Sequence, residues 1–204
     1  MASIYDFKPQ FQNLLRPLIR GMVRMKLTPN MVTLAALSGS FIAGMLIVLH
    51  ANDLRWLWII PVWLFIRMAL NAIDGMMARE FNLSTQLGAV LNELGDVLSD
   101  LFLYLPLALV GKEATFAIIL FSFGAVISEF SGLLGKAIGG SRHYEGPMGK
   151  SDRAFFVGAL SLVTVIFPKV LFFWKWLFLF ACLLLVITCW NRLKNALAEV
   201  NRIK

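Results

Sequence analysis

The chain has 204 residues, 59% of them hydrophobic and only 15% charged, with a formal net charge of +7. Soluble domains are about 45–50% apolar and about 25% charged, so this composition excludes disorder and argues strongly against a soluble enzyme. An integral membrane protein remains. At about 20 residues per apolar span, the length holds five or six helices and no separate soluble domain. The positive charge fits the positive-inside rule and anionic lipid rather than nucleic acid. Cys182 and Cys189 share one apolar stretch; their spacing is neither a disulfide framework nor a zinc pattern.

Residues 1–27 predict an amphipathic helix in the cytoplasmic interface. Leu14, Leu15, Leu18, Ile19, Met22 and Val23 recur at helical spacing, with Arg16, Arg20, Arg24 and Lys26 among them, a pattern suited to a headgroup surface. The segment has no uninterrupted apolar core and no A-x-A-like site, so it does not read as a cleavable signal peptide.

Residues 28–190 predict six membrane spans. The first starts at Thr28-Pro29-Asn30, a hydroxyl or amide cap beside a proline, and runs to His50. The others run from about Trp56 to Arg79, Thr85 to Val110, Ala114 to Gly135, Ala154 to Phe167 and Val170 to Trp190. A polar loop precedes the fifth span, and residues 191–204 form a cytoplasmic tail. With the N-terminus inside, fourteen of the 19 Lys and Arg fall on inside segments. Only Arg55, Lys112, Lys169 and Lys175 fall outside, and Arg67 lies within a span. Both termini are therefore expected in the cytoplasm, with an inner-membrane, multi-pass location. Trp56, Trp58, Trp174 and Trp176 are expected in the outer aromatic belt.

Five carboxylates sit in or at the ends of these spans: Asp74, Glu93, Asp96, Asp100 and Glu129. Charge at membrane depth costs at least a few kcal/mol, so such groups are rare and usually functional. At about 100° per residue, Asn92, Glu93, Asp96 and Asp100 fall within roughly a quarter-turn of one another. Asn71, Asp74 and Ala78 share a face of the second span by the same spacing. The short turn Glu80–Ser84 makes the two spans neighbours. Carboxylates brought together repel and protonate unless a cation holds them. A hard divalent ion suits oxygen-only ligands, Mg²⁺ above all where phosphates bind. Protonated acids in an ion or proton path are the other reading of the same residues.

The run Asn71-x2-Asp74-Gly75-x2-Ala78-Arg79-x8-Gly88-x3-Asn92-x3-Asp96 resembles the signature of the CDP-alcohol phosphatidyltransferases, D-x2-D-G-x2-A-R-x8,9-G-x3-D-x3-D. The likeness covers nearly the whole chain, since six spans, an inside amphipathic helix and a Thr-Pro-Asn start also look like that family. It implies transfer of a phosphatidyl group from a CDP-alcohol lipid such as CDP-diacylglycerol to a small polar or phosphorylated alcohol, with release of CMP at the cytoplasmic face. It also implies a homodimer. In the family the four aspartates hold two divalent ions, Mg²⁺ or Mn²⁺, and the last is also the base, here Asp96. Metal would then fall to Asp74, Asp96, Asn71 and Asn92, and nucleotide to Asp74, Gly75, Ala78, Arg79 and Gly88.

Two family aspartates are Asn71 and Asn92 here, which keeps oxygen ligands but removes two negative charges. Glu93 and Asp100 are extra acids on the same face, with no Lys or Arg near them in sequence, and are expected to restore that charge; the alternatives are one tightly held metal ion instead of two, or a site that has lost activity. The loop residues Arg142, Lys150 and Arg153 are candidates for the acceptor's phosphate, with Ser151 capping the following helix. His143 lies among them, and Glu129 is a further candidate ligand. Two other classes remain open on sequence: a non-catalytic lipid-binding relative, supported by the two asparagines, and an ion- or proton-coupled transporter, which usually carries repeats not seen here.

Overall fold

The computed structural model describes residues 4–203; residues 1–3 of the predicted amphipathic segment and Lys204 lie outside the described residues. Among the described residues the chain is helical, with α1 Ile4–Arg24, α2 Pro29–Leu49, α3 Ile59–Glu80, α4 Gln86–Tyr104, α5 Leu107–Val110, α6 Thr115–Ala137, α7 Lys150–Ile166 and α8 Trp174–Ile203. The helix starts follow their caps. Thr28 Oγ1 accepts from the Met31 amide at 3.3 Å with Pro29 in the first turn, and Thr85 Oγ1 accepts from the Gly88 amide at 2.9 Å.

Several boundaries differ from the sequence expectation. The third predicted span divides at Pro106, which cannot donate to the helical ladder, into α4 and the single turn of α5. The fifth begins at Lys150 rather than Ala154. Its N-cap is Gly149, not Ser151, and Asp152 Oδ2 accepts from the Gly149 amide at 3.0 Å. The sixth starts at Trp174 after a 3-10 segment, Pro168–Phe173, and continues unbroken through the polar tail. Among the described residues, four segments are long and apolar enough to cross a membrane: Pro29–Leu49, Leu54–Glu80, Lys112–Ala137 and Pro168–Arg202. In α4, Glu93, Asp96 and Asp100 lower the apolar character, and α7 has 17 residues.

α2 packs along α3 and α4, α6 along α8, and α3 along α7. α2 and α4 approach so closely that a Cβ on Gly44 would strike the Phe102 carbonyl. The core is aromatic, with Phe121 against Phe178 (ring centroids 5.3 Å) and Tyr104 (5.5 Å). Trp174 belongs to it. It is fully buried, and its indole N–H donates to Thr164 Oγ1 at 2.9 Å, so it is no belt residue. Trp58 and Trp176 are exposed, and Trp56 stacks on His50.

The outer surface carries many large apolar side chains. Phe116, Phe155, Phe172, Val186 and Trp190 are all more than 60% exposed, as expected of a chain solvated by lipid. α1 is different. It buries Leu15 and Ile19 against Val32, Ile73, Met76 and Met77, leaves Leu14 and Leu18 exposed, and pairs Arg16 with Glu80 of α3 at 3.2 Å.

Candidate active site

α3 and α4 are joined by a five-residue turn in which Asn82 takes a left-handed backbone (φ 55°) and Ser84 Oγ donates to the Ala78 carbonyl at 2.9 Å. This sets two helix ends side by side. On α3, Arg67, Asn71, Asp74 and Ala78 follow one another at three- and four-residue intervals; on α4, Asn92, Asp96 and Asp100 do the same. The rows meet where Arg67 and Asn71 of α3 reach Asp96 and Asp100 of α4.

Asp74 is buried, and its Oδ2 accepts from Thr33 Oγ1 at 2.7 Å. Asp96 is the meeting point. Its Oδ1 accepts from Asn71 Nδ2 at 3.2 Å and from Arg67 Nη2 at 3.3 Å, and its main-chain carbonyl accepts from the same Arg67 nitrogen at 3.0 Å. Its other carboxylate oxygen pairs with the Lys150 ammonium. Asn71 has to present its amide N–H to Asp96, because its carbonyl oxygen would repel the carboxylate.

One turn deeper lies a buried chain of alternating charge. Asp100 receives Arg67 Nη1 at 2.6 Å on one oxygen and Arg153 Nη2 at 3.0 Å on the other. Arg153 continues to Glu129 at 2.9 Å and to Ser128 Oγ at 3.0 Å. Glu129 also receives Arg142 at 2.9 Å and Arg192 at 3.5 Å, and Arg142 pairs with Glu93. Each carboxylate in this chain is matched to a guanidinium, which keeps buried charge tolerable.

The segment 138–149 carries Arg142 and leads into Lys150. It lies flat on α6, where a Cβ on Gly132 would strike the His143 carbonyl and one on Gly135 the Ser141 carbonyl. The far end of α8 ties it down. Glu199 Oε2 accepts from the Ser141 amide at 3.0 Å and lies 3.0 Å from His143 Nε2. Asn195 Nδ2 donates to Glu145 Oε1 at 2.7 Å, and Arg192 donates to the carbonyls of Tyr144 and Glu145. Burial alone would raise the Glu145 carboxyl. Hydrogen bonds from Asn195 and His143 outweigh it and hold that group below its ordinary range.

The structure thus brings Asn71, Asp74, Asp96 and Lys150 together, with Asn92 one turn before Asp96 on α4. Gly75 and Arg79 adjoin on α3, the Arg79 guanidinium 3.4 Å from where a Gly75 Cβ would stand. Gly88 sits against Thr85 and the Asn30 side chain. Glu93 and Asp100 do have cation partners, contrary to expectation, because Arg142, Arg67 and Arg153 arrive from other helices and from the loop. Arg153, expected on the acceptor, is fully buried and committed to Asp100, Glu129 and Ser128. His143 bonds Glu145 and Glu199, away from Asp96. Sequence reasoning missed Arg67, Arg192 and Thr33 as parts of this assembly. An arginine inside an apolar span was the one available signal.

Among the described residues no three His, Cys, Asp or Glu side chains are grouped to hold a metal ion. The oxygens at hand are the carboxylates of Asp74 and Asp96 with the amides of Asn71 and Asn92. That donor set suits one hard cation better than two, since each further divalent charge needs anionic ligands.

Residues 26–190 match the family model described as CDP-alcohol phosphatidyltransferase. The chain is 45% identical over 195 residues to the inner membrane protein YnbA of Escherichia coli, covering 96% of each chain. It is 37% identical over 90 residues to a phosphatidylinositol phosphate synthase of Mycobacterium marinum, covering 44% of this chain and 37% of that one. Its fold resembles the Mycobacterium tuberculosis phosphatidylinositol phosphate synthase crystallised with CDP-DAG bound, at 22% identity, TM-score 0.76, and 88% and 92% coverage of the two chains. The same enzyme in complex with manganese and citrate gives 21% identity, TM-score 0.76, and 89% and 88% coverage.

Proposed function

The chain belongs to the CDP-alcohol phosphatidyltransferase family, a membrane-bound transferase, and from that premise we propose that it moves a phosphatidyl group from a CDP-alcohol lipid such as CDP-diacylglycerol to a small polar or phosphorylated alcohol, releasing CMP. The observation that carries this reading is the facing of Asp74 and Asp96 across α3 and α4, with Lys150 beside them and an apolar groove leading away. The groove, about 530 Å³, runs between α3 and α7 past Leu64, Phe65, Met68, Phe155 and Leu162, and Arg67, Asn71 and Lys150 stand at its head. An acyl chain fits the apolar length, and the pyrophosphate fits the cationic head.

Asp74 and Asp96, with an oxygen from Asn71 or Asn92, would hold a divalent cation, Mg²⁺ or Mn²⁺. When bound, that ion supplies positive charge against the pyrophosphate. Asp96 takes the proton from the acceptor hydroxyl as general base, its carboxylate oriented by Arg67 and Asn71. Gly75, Ala78, Arg79 and Gly88 form the wall for the nucleotide, with Arg79 toward its phosphates. Lys150 and Arg142 receive a phosphate on the acceptor, and Arg153 supports them from behind by holding Glu129.

The topology proposed with this reading has six spans, α4–α5 and α7 joining the four long apolar segments. α1, within residues 1–27, lies in the interface, both termini and the site face the cytoplasm, and two copies pair through membrane helices. The deciding experiment follows CMP release by purified protein from CDP-diacylglycerol with Mg²⁺ or Mn²⁺, offering glycerol phosphate, inositol phosphate, inositol and serine. Acceptor-dependent CMP is expected. Asn71 bonded to Asp96 is the observation favouring a non-catalytic lipid binder, and absence of CMP with every acceptor would select that reading.

A further inference from the structure

Resting on the phosphatidyltransferase reading, we infer that this chain works with a single divalent ion, and that the Lys150 ammonium supplies the second centre of positive charge at the site. Three contacts lead there. Asn71 donates its amide N–H to Asp96 at 3.2 Å, so it acts toward that carboxylate as a neutral partner rather than as an additional anion. Asp96 shares its remaining capacity between Arg67 at 3.3 Å on Oδ1 and Lys150 on Oδ2. The two extra acids are held elsewhere, Asp100 by Arg67 and Arg153, and Glu93 by Arg142.

The two carboxylates then balance one ion, and the Lys150 charge is left to meet the substrate phosphates. Asp74 and Asp96 bring two negative charges to the pocket, enough for one divalent cation. A second such ion would rest on two amides and stay uncompensated in a site walled by membrane helices, where charge separation is expensive. Lys150 brings a single compact charge on a flexible stem. It comes from the first turn of α7, and its side chain is about one-third exposed, so it reaches the substrate phosphates without leaving Asp96's neighbourhood.

The test is Mn²⁺ binding to the purified full-length protein, read by calorimetric stoichiometry and by electron paramagnetic resonance. Wild type is expected to take one ion per chain with a mononuclear spectrum. Lys150→Ala removes a competing cation from Asp96 and should bind that ion more tightly, roughly 10-fold. Asn71→Asp/Asn92→Asp/Lys150→Ala should take two ions with a spin-coupled spectrum. Two ions per wild-type chain, or unchanged or weaker Mn²⁺ binding in Lys150→Ala, would overturn the inference. CMP release accompanied by two bound ions sinks this inference and leaves the transferase reading standing; no bound ion and no CMP release sinks both.

Discussion

Arg67, in the interior of an apolar helix, places one guanidinium nitrogen 2.6 Å from Asp100 and the other 3.0 Å from the main-chain carbonyl of Asp96. One side chain thus ties the buried charge network to the residue proposed as the base. Arg67 is 3% exposed and Asp100 is 4% exposed. Without Arg67, Asp100 keeps only Arg153, and without Asp100, Arg67 keeps only Asp96.

That relationship sets a stability prediction. Arg67→Met and Asp100→Asn should each destabilise the protein, by less than the roughly 3–5 kcal/mol of a fully uncompensated buried charge, because Arg153 still faces Asp100 and Asp96 still faces Arg67. The double variant should lose less than the sum, with a coupling of about 1–3 kcal/mol, read from thermal unfolding in detergent. Arg153 remains bonded to Glu129 in every case, so the network does not collapse outright. Additive losses would show that the pair is not coupled.

The base prediction separates chemistry from binding. Asp96→Asn keeps the shape and can still face Arg67 through its amide oxygen, but it cannot accept a proton. CMP release should fall about 10²-fold or more, while binding of CDP-diacylglycerol is largely kept. Unchanged turnover would move the base off Asp96.

The loop prediction concerns Gly132. Any Cβ there meets the His143 carbonyl, so Gly132→Ala must lift the segment that carries Arg142 away from α6. With Arg142 displaced from Glu93 and Glu129, the KM for a phosphorylated acceptor should rise by about 10-fold, the effect of losing roughly one charge-assisted hydrogen bond. The KM for the lipid donor should hold. A parallel rise in both would indicate general damage instead.

Topology has a direct check. Single cysteines introduced at position 52, in the turn after α2, and at position 145, in the loop before α7, should label from opposite sides of the membrane. In the proposed topology an odd number of spans separates them. Labelling from one side would remove the six-span arrangement.

How far the sequence reaches is clear from particular residues. The helix starts at Thr28 and Thr85 were readable because a cap is local chemistry. The facing of Asn71 and Asp74 with Asp96 was readable because a short turn and helical spacing leave little choice. Arg153 was not readable as a buried counter-ion, because its partner Asp100 lies 53 residues away. Trp174 reads as an interface tryptophan from its position, yet Thr164 ten residues earlier satisfies its N–H inside the core. Long-range pairing, not local pattern, decides such cases.

The last prediction tests the groove. Gly158 sits on α7 where a Cβ would lie 3.5 Å from Leu64 Cδ1 and 3.7 Å from Pro61 Cα, which is ordinary contact. Alanine therefore fits, and Gly158→Ala should leave activity near wild type. A leucine cannot fit in the same way. Its extra methylenes enter the space between α3 and α7 that Phe65, Met68 and Leu162 also line. If a donor acyl chain lies there, Gly158→Leu should raise the KM for long-chain CDP-diacylglycerol by about 10-fold or more, the loss of contact for two or more buried methylenes at about 0.8 kcal/mol each. A short-chain donor, which does not reach past α7, should be affected much less. The acceptor KM should move much less, because Lys150, at the head of the groove, stands eight residues from Gly158 along α7. Equal losses for long- and short-chain donors would mean that the acyl chain takes another path, and that the groove between α3 and α7 serves only packing.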